Sequence, residues 1–443
     1  MICAAKFLLA AFGVIVAVWG APVHSIEIQK VVSPKGIVAW LVEDHANPII
    51  NVKFAFRGGA ALDPMGKEGL ANLVASTLDE GAGNMDSQAF QQELEDLSIS
   101  LSFRADLDSF SGSVRTLTRN HDRAFELLRL AKTQPRFDEE AVERIRSQIL
   151  AGIRRSSEDP RRIAGRTLIK TLFPDHPYGR PSRGTAESVP VIKLVDLKLF
   201  VAQRLAKDNL VIGVVGDITP PALGKLLDAT FGSLPAKASS WTLDEAKTNS
   251  GNRTIVIDKP IPQTVIRFGQ AGIKRDDPDF FPAYVMNYVL GGGGFESRLY
   301  EEVREKRGLA YSAFSYLSPF NHAGLIMGGA GTANARVAET VKILKDEWRH
   351  MSDQGLSAEE LKDAKTYLTG SYPLRFSSSG RIASMLTGIQ LERLGIDYIN
   401  KRNSFIQEVS LDDVNRVAKK LLDPDNLTLV VVGKPDGITS QGQ

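Results

Sequence analysis

Asn72, Ala75 and Ser76 fall at i, i+3 and i+4 in the stretch GLANLVASTLDEGAG, residues 69–83. This is the spacing with which H-x-x-E-H brings two histidines to one zinc ion and holds a glutamate against the water to be activated. The residues present supply none of that chemistry. Asn72 offers a neutral amide, Ala75 no heteroatom, and Ser76 a hydroxyl far too weakly acidic to bind zinc as an anion near neutral pH. With alanine in the place of the glutamate there is no general base either. A second pair has more to offer: Arg304, in the last turns of a charged helix, and Tyr311, at the start of the strand that follows Gly308. Helix, glycine turn and strand fold these two back toward one another, so a guanidinium and a phenol are expected to face one cavity. A phenol O–H stabilises a developing oxyanion, and an arginine grips carbonyl or carboxylate oxygens. Arg298 and Arg307 are rival cations, and any arginine there also answers the negative end of its helix.

The elements that must carry these residues occur twice. Asp208-Asn209-Leu210 followed by VIGVVGDITP and Asp425-Asn426-Leu427 followed by TLVVVGKPDG lie 217 residues apart, each a polar turn leading into a buried strand. NVKFAFRGG at 51–59 answers TVIRFGQAG at 264–272, and LVASTLDEGAG at 73–83 answers VMNYVLGGGG at 285–294. A shared shift points to duplication. Each half is expected to run strand, long helix, Gly-rich turn, second helix, strand pair, long helices near 138–155 and 357–370, and a closing strand, which is a two-layer α+β unit. Leu70, Leu73, Val74, Thr77 and Leu78 form the core-facing stripe of the first helix. In the second half, Tyr311, Ala313 and Ser315 share one face of their strand. Residues 233–254, SLPAKASSWTLDEAKTNSGNRT, show no period and read as a linker. The expected organisation is a signal segment 1–25, an N-terminal lobe 26–232, that linker, and a C-terminal lobe 255–443. Two homologous lobes on one tether would form a clamshell, with ligand between them.

Composition narrows the classes. Fifty-four basic residues against 52 acidic ones leave a net charge of +2. No phosphate-tracking stripe stands out, which disfavours nucleic-acid binding. The opening MICAAKFLLAAFGVIVAVWGAPVHS has one lysine and then an apolar run ending in small residues, the pattern of a secretory signal cut after Gly20 or Ser25, or else of a single-span anchor. Beyond it no apolar stretch approaches the roughly 20 residues of a membrane span. Cys3 is the only cysteine, so the mature chain has neither disulfide nor thiolate chemistry, which suits a bacterial periplasm.

GGAALDPMGKEGLANLVASTLDEGAG resembles the region around the inverted zinc motif of the pitrilysin/insulinase-type metallopeptidases. The resemblance implies that the zinc-binding motif belongs at Asn72, Ala75 and Ser76 and that the third ligand, a glutamate, belongs in EEAVERIRSQILAGIRR, where Gln148 stands. HPYGRP at 176–181 is similar to a loop of the bacterial two-subunit branch, and R-E-K-R-G-L-A-Y keeps the seven-residue spacing of an arginine–tyrosine pair that binds substrate and stabilises the tetrahedral intermediate. In that branch, similar to the mitochondrial processing peptidase, one chain holds zinc and its partner supplies the pair. The present chain looks like the partner, as the alpha subunit does there. Gly291, Gly292, Gly293 and Gly294 would then be a mobile turn that touches substrate; as a phosphate cradle the run lacks the preceding strand and the lysine.

The resemblance therefore implies a metal-free subunit of a heterodimeric periplasmic, or secreted, zinc metallopeptidase of a Gram-negative bacterium. Alone it is catalytically incomplete. Its implied partners are a homologous zinc-bearing catalytic chain, with the zinc in that chain, and a peptide or unfolded polypeptide substrate. A non-enzymatic scaffold or peptide holder of the same fold is the alternative. A serine hydrolase is disfavoured, because no G-x-S-x-G turn is present.

Overall fold

A computed structural model describes residues 26–442, so the expected signal segment and Cys3 lie outside the described residues. Strands β1 (Gln29–Val32), β2 (Val38–Glu43), β3 (Ile49–Arg57), β4 (Ser100–Ala105), β5 (Ser109–Leu117) and β6 (Leu210–Gly216) belong to the first half. The second half contributes β7 (Arg253–Asp258), β8 (Gln263–Ala271), β9 (Ala310–Phe320), β10 (Ala323–Ala333) and β11 (Thr428–Gly433). The strand orders are β1-β2-β6-β3-β5-β4 and β7-β11-β8-β10-β9. Apart from β1 the two sheets are the same, strand for strand. Directions agree too, because β2–β6 and β7–β11 are the parallel pairs and the other neighbours are antiparallel. Topology thus carries the same duplication as the sequence offset.

Each sheet packs one face on helices of its own half. His121–Thr133, Leu194–Arg204 and Pro220–Phe231 bring Phe125, Phe200 and Phe231 against Phe54, Phe56 and Phe110. In the second half Val337–Gln354 and Leu411–Leu421 bring Trp348 and Val414 against Phe268 and Val431. The central strands are apolar on both faces: Leu429 and Val431 of β11 enter one cluster, Val430 and Val432 another. That second face is what a near-continuous β-branched run needs covered.

The cover comes by exchange. Helix Pro160–Leu172, from the first half, lays Ala164, Leu168 and Leu172 on the second sheet against Val265, Leu325 and Val430. Helix Ser379–Leu391, from the second half, lays Ala383, Leu386 and Ile389 against Val215 of the first. The approach is close at Gly213, where a Cβ would lie 2.7 Å from the Ala383 carbonyl oxygen and 2.8 Å from the Leu386 Cβ. Thr387 and Gln390 side chains donate to the Lys53 and Ile212 carbonyls, while Arg57 donates to the Gln390 carbonyl.

Two-layer lobes on a lone tether are therefore replaced by an interlocked pair, in which each sheet takes its third layer from the other half. The linker is itself held along both halves. Ala238 N–H donates to Asp208, Ala246 N–H to the His322 carbonyl and Asn249 N–H to the Leu172 carbonyl, and Glu245 pairs with Lys274. Among the described residues no helix is long and apolar enough to cross a membrane.

Candidate functional site

The helix that carries the first motif is shorter than its periodicity suggests, running only Leu70–Ala75 before Ser76–Asp79 continue as turn. It starts at Gly69, whose φ of 95° favours glycine and whose Cβ would meet the Arg183 carbonyl oxygen at 2.8 Å. Asp63 holds that start: its carboxylate accepts the Gly69 and Ala71 N–H groups at 3.0 and 3.1 Å. Burial pushes the Asp63 carboxyl up to about 7, against the pull of those bonds and of Arg204 and Arg180. At the other end the Ser76 and Thr77 hydroxyls donate to the Asn72 and Leu73 carbonyls at 2.8 and 2.7 Å. Such side-chain bonds compete with helix continuation.

Asn72, Ser76 and Gln148 line one cavity of about 1030 Å³, so the structure brings these three together. Ala75 is not on that wall; it is 4% exposed and packs into the first core. Gln148 arrives on helix Glu139–Glu158 with Ile145, Ile149 and Gly152 on the same face. Two amides and a hydroxyl whose proton is already donated do not fit zinc, which takes imidazole, thiolate or carboxylate donors. Among the described residues no group of three or more His, Cys, Asp or Glu is placed to hold a metal. His176 is engaged locally, its Nδ1 accepting the Tyr178 N–H at 3.2 Å, which leaves Nε2 to donate to the Asp244 carbonyl at 3.1 Å.

The same cavity has a feature that composition concealed. Arg155, Arg161, Arg162, Arg166, Arg180, Arg183 and Arg267 line it, against one acidic residue, Asp159. Asp159 is committed to capping helix Pro160–Leu172, accepting the Arg161 and Arg162 N–H groups at 2.8 and 3.3 Å. Arg180 binds the Ala61 and Asp63 carbonyls. Tyr178 closes one side, its hydroxyl donating to Asp108 at 2.7 Å and accepting the His322 N–H at 3.1 Å. A regional count would have found the basic wall: residues 144–183 carry nine arginines and one lysine against three acidic residues.

Arg304 and Tyr311 do face a common cavity, of about 550 Å³, which shares no lining residue with the first. The charged helix is a single α-turn, Arg298–Tyr300, widened into a π-turn at Glu301–Glu305. Gly308, at φ 58°, turns the chain, with its N–H on the Arg304 carbonyl at 2.8 Å. The Arg304 guanidinium lies over the Tyr300 ring at 4.8 Å, and its nearest carboxylate, that of Glu305, stands 3.8 Å away. Tyr311 does not share a face with Ala313 and Ser315, contrary to simple alternation. Gly331 pairs with Ser312 and Thr332 with Ala310, so Tyr311 is the unpaired residue of a β-bulge. Its side chain is 78% exposed, whereas Ala313 and Ser315 are buried. The matching β4–β5 ladder pairs without any such shift.

The glycine run expected as a mobile turn is wound into helical turns, Tyr288–Gly292 and Gly294–Glu296. Gly291 is buried, and a Cβ there would strike the Ser315 backbone nitrogen at 2.5 Å, so its glycine answers packing rather than contact with a substrate. Gly292 and Gly294 are exposed and Gly293 is half-buried, beside the exposed Phe295 ring.

Comparison with known proteins fits this architecture. Residues 38–186 match the model for "Insulinase (Peptidase family M16)" and residues 192–368 that for "Peptidase M16 inactive domain". A Helicobacter pylori protein described as a non-peptidase homolog, YmxG, is 31% identical over 396 residues, covering 88% of this chain and 90% of that one. An uncharacterised zinc protease of Streptomyces coelicolor is 31% identical over 293 residues, 64% of this chain and 63% of the relative. The crystal structure of a peptidase M16 inactive domain from Pseudomonas fluorescens superposes with a TM-score of 0.87 at 30% identity, covering 94% of this chain and 99% of that one. The fold also recurs in a chain of complex III from Candida albicans, with a TM-score of 0.77 at 16% identity over 93% of this chain and 96% of that one. The chain therefore belongs to the M16 (insulinase/pitrilysin) family, with an inactive-domain match over residues 192–368.

Proposed function

We propose that this chain is the metal-free subunit of a two-chain M16 peptidase exported to the periplasm, and that it lends Arg304 and Tyr311 to peptide bound against a zinc-bearing homologous chain. The observation that carries the reading is Tyr311 itself. A bulge turns a large aromatic out to 78% exposure beside Arg304, with no partner for its hydroxyl among the described residues. Bulges of this kind re-aim side chains beside active sites. Zinc in the partner would supply a polarised water. The Tyr311 phenol O–H would donate a hydrogen bond to the oxyanion that develops on the scissile carbonyl, and Arg304 would hold a neighbouring carbonyl or carboxylate. The arginine-lined cavity, walled by the first half with Arg267 from the second, is on this reading where the remainder of the peptide lies. Neutral Asn72, Ser76 and Gln148 there would contact substrate without cleaving it.

Co-purification from the native periplasm, with N-terminal sequencing of the mature chain, tests location and partner together: a companion of similar size that contains zinc is expected. In the reconstituted pair Tyr311→Phe is expected to lower kcat about 100-fold with little change in KM, as loss of one oxyanion donor does. The Helicobacter pylori relative's description as a non-peptidase homolog favours a second reading, a peptide-holding scaffold. Cleavage unchanged by Tyr311→Phe would select it.

A further inference from the structure

We infer that the cavity beside Asn72, Ser76 and Gln148 binds acidic stretches of extended polypeptide, a substrate class that rests on the reading of this cavity as the place where the chain holds peptide. Its charge is one-sided in a way the net +2 conceals. Seven guanidiniums line it, and only Arg180 among them forms an ion pair within the described residues, with Glu68 at 3.8 Å. Among the described residues the remaining six form no ion pair, and Asp159 is the one carboxylate on the same wall.

Folding does not ask for this arrangement. Arg161 and Arg162 occupy the first turn of helix Pro160–Leu172, where the macrodipole already presents positive charge. Arg166 follows Arg162 by one turn, so two like charges stack at i, i+4 on the exposed side. Arg155 ends the preceding helix and faces the same space. The first-turn pair and the i, i+4 pair work against the empty protein, and an anionic ligand relieves them, whereas Arg155 is favoured where it stands by the negative end of its own helix.

The chemistry between the arginines identifies the ligand as peptide. Leu107, Ile145, Ile149 and Ile169 interleave with them, which suits aspartate and glutamate alternating with aliphatic side chains. The only aromatic residue on the wall is Tyr178, which is 0% exposed, so no ring face is free to stack a nucleobase. At about 1030 Å³ the space stands at the upper end of small-ligand pockets and takes several residues of chain.

Fluorescence anisotropy with the purified mature chain tests this, using labelled peptides of equal length that alternate leucine with glutamate or leucine with lysine, and oligothymidylate as a third probe. The acidic peptide is expected to bind at least about tenfold tighter than either other probe, with affinity falling as salt rises. Arg162→Glu together with Arg166→Glu is expected to abolish that preference; circular dichroism confirms that this doubly substituted chain is folded, and Arg162→Gln with Arg166→Gln provides a milder second variant. Equal binding of the basic peptide, tighter binding of the oligonucleotide, no binding of the acidic peptide, or indifference to both pairs of substitutions overturns the inference. The assay needs no zinc-bearing partner. Acidic-peptide binding without any companion in the periplasm would uphold this inference and sink the two-chain reading. Charge-blind cleavage by an isolated two-chain complex would do the reverse.

Discussion

At the start of the helix that bears Asn72 and Ser76, Asp63 accepts two backbone N–H groups while only 3% exposed. Its carboxyl is raised by burial from an ordinary 3.8 to about 7, so the folded protein holds this proton more tightly than the unfolded chain does. The sign follows: the group's contribution to stability is fully present below about pH 4 and is lost as pH rises through about 7. At about 1.4 kcal/mol per pKa unit the swing is a few kcal/mol at most. Urea titrations of the wild type and Asp63→Asn between pH 4 and 8 are expected to show the wild type losing stability relative to the variant across that window; a constant difference would sink the assignment. Other residues of the site differed in how far the sequence disclosed them. Helical spacing put Asn72 and Ser76 on one face and a family resemblance singled out Gln148, and the structure brings the three to one cavity wall. Tyr311 was legible as a residue but not in its direction, since period-two alternation has no term for a bulge.

Helices Pro160–Leu172 and Ser379–Leu391 have the opposite problem. Asp159 and Pro160 form a plain start signal, and Ala164, Leu168 and Leu172 make an apolar stripe, so the helix and its buried face are written locally. Which sheet the stripe covers is not, because a stripe specifies only that something apolar meets it. Each helix crosses to the sheet of the other half, and Gly213 shows how tightly. In a strand, alanine normally outperforms glycine, yet Gly213→Ala is expected to destabilise by about 1–3 kcal/mol because the new methyl collides with the Ala383 carbonyl. Leu386→Ala and Leu168→Ala, both 0% exposed, should each cost about 2–5 kcal/mol. Chemical denaturation measures all three, and a neutral or stabilising Gly213→Ala would contradict the packing.

For the whole molecule, averages hid what mattered most. A net charge of +2 suggested an electrically bland surface, but the arginines concentrate on two consecutive helices and the loop after them. The sequence offset anticipates the strand order that the two sheets share, whereas the clamshell expected of two lobes on one tether carries the assumption that the halves are joined by the tether alone. The exchanged helices contradict that assumption, because removing either half strips an apolar face from the other, leaving Val430 and Val432 or Val215 exposed. Cutting the linker is therefore a direct test. Proteolysis at a site introduced at the exposed Ala236–Lys237 bond is expected to leave both fragments eluting as one native species and melting in one transition. Two fragments that separate without denaturant, or two resolved transitions at the same pH, would mean that the halves stand alone. In an interlocked chain the two are physically joined, since the 160–172 helix is at once a wall of the arginine-lined cavity and the cover of the second sheet.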